Sequence, residues 1–397
     1  MSEMRDEKYV NWLYHVPGIG RKTLCVILTS ARENQMELSD FLCEPEHRVK
    51  LFLEEKCSFS EKAADRIAEN IGKTKKSSTA DQLWEEMKKR GIRFLMPDNP
   101  EFPQRLRKIP DAPVGLYVKG NGDFLDEKVQ KKPVVAVIGS RICSEYGKYV
   151  ARQIGEACAE HGVSLVSGMA LGIDGVSQWS CVKKGGRVAA VLGCGADICY
   201  PPANRPLYDE LSKKGCICSE YVPGTEPKAN YFPPRNRIIS GMADVLVVVE
   251  AKEKSGTLIT VDMALEQGKE VYVVPGRVTD PMSAGCNRLI HQGATVVCEP
   301  MNFVEEIANM GLHNLDIDRS NKATQSPGET SVKNPYPPES EKYCIYEVLD
   351  MNPLSVQQIY EKLANKTEID ISRLQRELLY MQMDGAVQET GGRFFVF

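Results

Sequence analysis

The chain has 397 residues, 42% of them apolar and 26% charged, and its 50 basic against 54 acidic side chains leave a formal charge of −4. This is the composition of a folded protein of two or three domains, and it excludes a fibre, a repeat array and a wholly disordered chain. It carries no overall basic signature, so any contact with nucleic acid has to come from a local patch.

Residues 1–72 read as a helical domain, with Leu51, Phe52, Ile67 and Ile71 spaced among charged residues. Within it, VPGIGRKTL (residues 16–24) places two glycines around an isoleucine, a tight turn whose following helix offers backbone N–H groups to a phosphate. The segment resembles the helix-hairpin-helix motif of DNA-binding proteins, with a plain turn between helices as the other reading. The polar stretch GKTKKSSTAD (72–81) places a boundary, and residues 82–312 form the main domain, with a lead-in segment and a core at 133–300. In that core the apolar runs VVAVIG, VSLVSG, RVAAVLG, CICSEY, DVLVVVE, EVYVVPG and ATVVCE alternate with amphipathic segments. Runs apolar on both faces predict a doubly wound α/β domain with a mainly parallel sheet. Residues 313–341, rich in Ser, Pro, Asn and charge, read as a flexible linker. The segment 342–397 shows three helices and a Gly-tipped hairpin, a winged-helix pattern. Its six basic and eight acidic residues leave duplex binding and protein contact as equal alternatives.

Ligands of parallel sheets gather at the carboxyl ends of the strands, and the unusual residues of this chain fall there. They are Gly139-Ser140-Arg141, the stretch SGMALGIDG (167–175), GCGAD and YPPAN (193–204), and KSGTLIT (254–260). Glycines let backbone approach a ligand, while hydroxyls and helix N-termini supply donors for an anion. The sharpest feature is NYFPPRNRIISG (230–241). Its Arg235 and Arg237 suit phosphates, Asn236 a base edge, and Tyr231 and Phe232 base stacking. The other reading buries the arginines against carboxylates such as Asp174 or Asp197. Between residues 133 and 300 there are 17 basic and 17 acidic side chains, so a polyanion requires clustering of Arg141, Lys148, Lys228, Arg235, Arg237 and Lys254.

Other chemistries find little support. The first turn, GSRICSEYG, is not GxGxxG, and the second strand ends without a ribose-binding carboxylate, which disfavours a dinucleotide cofactor. His15, His47, His161, His291 and His313 are scattered away from the strand-end loops, which disfavours nucleophilic catalysis. The thirteen cysteines are odd in number, and the close pairs Cys194/Cys199 and Cys216/Cys218 lack CxxC spacing, so free thiols are expected rather than disulfides or a metal site. No apolar run reaches the roughly 20 residues of a bilayer span, and the opening MSEMRDEKYV is not a secretory signal; a cytoplasmic protein without membrane association is expected.

The motifs GSR, SGMALGID, GCGADICYPPAN, NYFPPRNRIISG, SGTLIT and GCNRLIHQGA, in this order, resemble the DNA-processing protein A family, DprA/Smf, across the central domain. The resemblance implies a Rossmann-like domain flanked by an N-terminal helical (helix-hairpin-helix or SAM-like) domain and a C-terminal winged helix. It implies a non-enzymatic protein without cofactors or metal that binds single-stranded DNA during natural transformation, protects it and loads the RecA recombinase. The implied DNA pocket comprises Ser140, Arg141, Ser167, Gly168, Phe232, Arg235, Asn236 and Arg237, and the implied homodimer contacts are Asn287, Leu289 and Ile290. Two alternatives stand beside this reading. One is a phosphoribohydrolase-like enzyme, in which Ser255-Gly256-Thr257 would bind phosphate and Glu266 would catalyse; the other is a protein-interaction scaffold recruiting through its tail.

Overall fold

Nine strands form one sheet: β1 (Ile92–Leu95), β2 (Leu116–Gly120), β3 (Val134–Ile138), β4 (Ser164–Ser167), β5 (Val188–Leu192), β6 (Cys216–Ser219), β7 (Val245–Val248), β8 (Glu270–Val273) and β9 (Thr295–Val296). The structure is a computed structural model that describes residues 3–120, 123–125, 131–309, 336–338, 340–349, 354–363, 369–384, 386–390 and 393–395. Its packing divides into two units, residues 1–321 and 322–397.

The strand order is β1-β2-β6-β5-β4-β3-β7-β8-β9, parallel from β6 to β9, so the seven apolar runs form the seven parallel strands. The lead-in segment supplies two strands beyond those that the runs predict. They extend the sheet antiparallel beside β6. Side chains alternate between the two faces, as a pleated strand requires. Val135 and Val137 of β3 join the core that contains Val150 and Ile154 of helix Glu145–Glu160. Val134, Ala136 and Ile138 join the opposite core, with Ile238 and Ile239 of helix Phe232–Met242 and Val261 of helix Gly256–Glu266. The chain therefore winds both ways from β3: β4, β5 and β6 lie to one side, β7, β8 and β9 to the other.

The N-terminal helices pack into the first of these cores. Trp12 donates its indole N–H to the Ser78 carbonyl at 3.0 Å, and the Tyr117 hydroxyl donates to Asn11 at 2.9 Å. Phe94 and Tyr117 pack ring against ring at 4.8 Å. The buried Glu7 carboxylate accepts from the Met96 N–H and the Asn99 amide at 3.2 and 2.9 Å. The boundary expected at 72–81 does not divide this packing. Helix Glu61–Ser77 runs through residue 72 because Ile67, Ile71 and Thr74 keep an inward stripe beneath the polar surface. Thr79 then caps the next helix, Ala80–Lys89, in a reciprocal box with Gln82.

In the C-terminal unit, helices Glu341–Val348, Val356–Leu363 and Ile371–Met383 surround Ile345, Ile359, Leu374 and Leu378. A three-stranded antiparallel sheet joins Leu354–Ser355, Gln388–Thr390 and Arg393–Phe395, the last in the middle. Most of the expected linker, 313–341, lies outside the described residues.

A chain starting at residue 82 uncovers Phe94 and Tyr117. It is expected to bind the dye ANS strongly and to lose cooperative urea unfolding. Cooperative unfolding of that fragment without ANS binding would restore the boundary at 72–81.

Candidate nucleic-acid interface

The strand order reverses between β3 and β7, and the connections leaving these neighbours go to opposite faces of the sheet. In open α/β sheets such a switch point leaves a crevice at the carboxyl ends. Here it opens into a cavity of about 460 Å³, lined by residues 138–142 after β3 and by Lys252, Lys254 and residues 255–257 after β7.

The first loop is braced from β7. The Ser140 N–H donates to the Glu250 carbonyl at 2.9 Å, and the buried Glu250 carboxylate accepts from the Ser144 N–H at 2.9 Å and from the Ser144 hydroxyl. The Ser140 hydroxyl donates to the Ile142 carbonyl at 2.7 Å, which folds the loop back and leaves Arg141 exposed at the cavity edge. The second loop is held by Asp174 and Gln178, whose side chains accept from the N–H groups of Gly168 and Met169 at 3.2 and 3.0 Å. Asn204 donates to the Met169 carbonyl at 2.9 Å.

Helix Phe232–Met242 supplies the cavity floor. Pro233 and Pro234 fit its first turn, where amide donors are not needed. Arg235 is only 4% exposed; its Nη1 donates to the Gly168 carbonyl at 2.9 Å and to the Val191 carbonyl. A Cβ on Gly168 would stand 2.5 Å from this guanidinium, so only glycine admits it. Burial lowers the Arg235 pKa to about 10, with Asp174 opposing the shift and Arg141 adding to it. Burial also raises the Asp174 carboxyl above its ordinary value, with Arg235 and the Gly168 N–H pulling the other way.

Arg141 and Arg235 lie over the Phe232 ring at 5.5 and 5.9 Å, and Tyr200 stacks on the same ring at 5.4 Å. A smaller hollow of about 80 Å³ shares Arg141, Phe232 and Arg235 and adds Leu171 and Tyr200. Both of these last residues are exposed. The loops holding Leu171, Tyr200 and Lys252 are visible in the sequence, but nothing in the local pattern singles out these side chains.

Of the eight predicted pocket residues, Ser140, Arg141, Phe232, Arg235 and Asn236 line the larger cavity, and Gly168 lines the smaller. Ser167 does not line either: fully buried, it donates to the Val137 carbonyl at 2.5 Å and serves the sheet. Arg237 is also a correction. It is 5% exposed, donates through Nη2 to both carboxylate oxygens of Glu220 at 2.8 Å, and donates through Nε to Asp111 at 3.0 Å. Its partners are therefore neither Asp174 nor Asp197; the latter pairs with Arg90 at 2.8 Å. Arg21 of the N-terminal hairpin pairs with the same Asp111, which ties that hairpin to the main domain. Tyr231 is stacked on Tyr221 at 4.4 Å, and Lys148 pairs with Glu145 at 2.6 Å; neither lines the cavity. On helix Ala284–His291, Asn287 brackets the Gly276 backbone at 3.1 and 3.3 Å, Leu289 is buried and Ile290 is half-buried.

The fold and its crevice define a doubly wound α/β protein with cations and rings where such sheets hold ligands. Residues 93–308 match the family described as DNA recombination-mediator protein A. Protein Smf of Synechocystis sp. is 36% identical over 251 residues, 63% of this chain and 62% of that protein. DNA processing protein DprA of Streptococcus pneumoniae is 41% identical over 205 residues, 52% of this chain and 71% of that protein. The X-ray structure of DNA processing protein A from Streptococcus pneumoniae superposes with a TM-score of 0.61 at 32% identity, covering 75% of this chain and 97% of that one. The chain belongs to the DNA recombination-mediator protein A family.

Two substitutions separate the arginines. Arg237→Ala takes the buried bidentate cation from Glu220, while Asp111 keeps Arg21, so a loss of about 3–5 kcal/mol in urea unfolding is expected, as for other broken buried pairs. A loss below about 1 kcal/mol, the range of an exposed pair, would contradict this structural role. Gly168→Ala displaces Arg235 and is expected to weaken oligonucleotide binding in a chain that still folds, read by fluorescence anisotropy beside circular dichroism. Wild-type affinity in that variant would show that the guanidinium position does not matter.

Proposed function

We propose that this chain is a single-stranded DNA-binding recombination mediator. In this reading it holds unpaired DNA at the β3/β7 crevice, shields it, and hands it to RecA, as when DNA enters a transformable cell. The observation that carries the reading is the meeting of Arg141, Arg235, Lys252 and Lys254 with Phe232 and Asn236 around one cavity. Cations follow a sugar–phosphate backbone, and a ring or guanidinium plane stacks on any base at about 1–3 kcal/mol, which gives affinity without sequence preference. The half-buried Asn236 can pair with a base edge. The exposed face of Tyr200, stacked outside Phe232, extends the platform.

A binder needs no general base at this site. Glu266, the candidate catalyst of the hydrolase alternative, closes the helix that begins at Gly256 and so lies about 15 Å from it along the axis. It does not line the cavity, and neither do His15, His47, His161 or His291. Among the described residues no three His, Cys, Asp or Glu side chains gather as a metal site, and no helix is long and apolar enough to cross a membrane.

The C-terminal unit supports the winged-helix reading through its order helix, strand, helix, helix, strand, strand. The helix that would face a partner, Ile371–Met383, exposes Leu379, Tyr380 and Met383, a surface better suited to protein than to a phosphate backbone. We assign it to recruitment of the recombinase. A homodimer would form through helix Ala284–His291, with Ile290 as its available apolar contact.

Arg141→Ala is expected to weaken single-stranded DNA binding and to reduce the slope of log K against log salt by about 0.7 for each phosphate that is no longer neutralised. An unchanged affinity and slope in the folded variant would remove Arg141 from the interface. Deleting residues 342–397 is expected to abolish RecA loading and to leave oligonucleotide affinity intact; loss of DNA binding alone would make the tail a nucleic-acid module.

A further inference from the structure

We infer that the β7 side of the crevice is a seat for a terminal phosphomonoester, so that the protein takes a phosphorylated DNA end, or a free mononucleotide, in preference to an unphosphorylated one. The inference rests on the single-stranded DNA reading and adds to it the chemistry of the end group.

The eleven-residue helix Gly256–Glu266 turns its N-terminus to the cavity, with Ser255 capping the Thr257 N–H at 3.2 Å. Lys252 and Lys254 flank it, both exposed. A helix start alone would say little, but a buried charged side chain that lines the same cavity is left with an unsatisfied donor. Arg235 donates through Nη1, and its buried Nε has no partner among the described residues. Thr260, one turn into the helix, also lines the cavity. Buried polar groups are rarely left in this state, and an anionic oxygen is the acceptor this guanidinium lacks.

Charge and shape select the kind of phosphate. Four cations and one carboxylate, Asp174, line the cavity among the described residues. A phosphomonoester brings about 1.5 to 2 negative charges near neutral pH and a phosphodiester only one, so the excess of cations favours the monoester. The cavity, about 460 Å³, falls in the size range of small-ligand pockets and so suits one nucleotide. Its lining includes the buried Arg235, which a chain end reaches directly and a continuous strand only by looping in and out.

The test compares a 5′-phosphorylated and a 5′-hydroxyl oligonucleotide of one sequence on the full chain, by anisotropy. A 3′-phosphorylated arm, and competition by thymidine monophosphate against thymidine, distinguish the two ends and the free nucleotide. A preference of about tenfold for a phosphorylated end is expected, the worth of one added charge-assisted hydrogen bond; Lys252→Gln/Lys254→Gln should weaken both oligonucleotides, but the phosphorylated one about tenfold more, so that the ratio of the two affinities falls to about one. Equal affinities in wild type, with no competition by the monophosphate, would overturn the inference and leave the DNA reading standing. A preference that survives the double substitution would overturn the assignment to these residues. If no oligonucleotide binds but thymidine monophosphate does, by calorimetry, the seat is supported and the DNA reading fails.

Discussion

Everything at the candidate interface depends on the reversal of strand order between β3 and β7. Hydrogen bonding holds these strands side by side, with Ile138 opposite Val248, yet the helices that follow pack on opposite faces of the sheet. Their connections must separate at the strand ends, and the crevice is the space between them. Because it follows from connectivity, the crevice does not need an induced fit to exist. Its walls are fixed by groups within the fold, the Glu250 carboxylate on one loop and Asp174 and Gln178 on the other.

The two arginines of the RNR motif show how position on an element decides a role. In a linear sequence they look equivalent, two residues apart in one motif. In a helix, residues two apart lie about 200° apart around the axis, so they face different surroundings. Arg235 reaches the carbonyls beside the cavity, whereas Arg237 reaches Glu220 and Asp111. Pro233 and Pro234 are the available sign of a helix start, and reading them that way separates the two arginines. Asp111 also binds Arg21, so the glycine-bracketed N-terminal turn is joined to the main domain by an ion pair. The hairpin residue best suited to meet a phosphate is thereby engaged internally.

Legibility follows the strength of the hydrophobic pattern. Strands buried on both faces are unmistakable runs, and all seven parallel strands can be read from them. β1 and β2 are shorter signals, broken by Arg93 and Lys119, and their place beside β6 depends on long-range pairing that a local window does not contain. The polar surface of residues 72–77 conceals a helix whose inward side is carried by only a few residues, Ile71 and Thr74 among them. At the interface, the loops are legible from glycines and hydroxyls at strand ends. Which side chains converge is not, because Tyr200 and Lys252 come to Phe232 and Arg141 only through the sheet order.

The central claim is that unpaired DNA runs along the β3/β7 crevice. Photo-crosslinking of a 5-bromodeoxyuridine oligonucleotide to the full chain, with the attached peptides mapped by mass spectrometry, tests it most directly. The account predicts adducts on the peptides that carry Arg141, Tyr200, Phe232 and residues 252–257. Adducts confined to the N-terminal hairpin at 16–24 or to helix Ile371–Met383, with the crevice peptides unmodified, would contradict it.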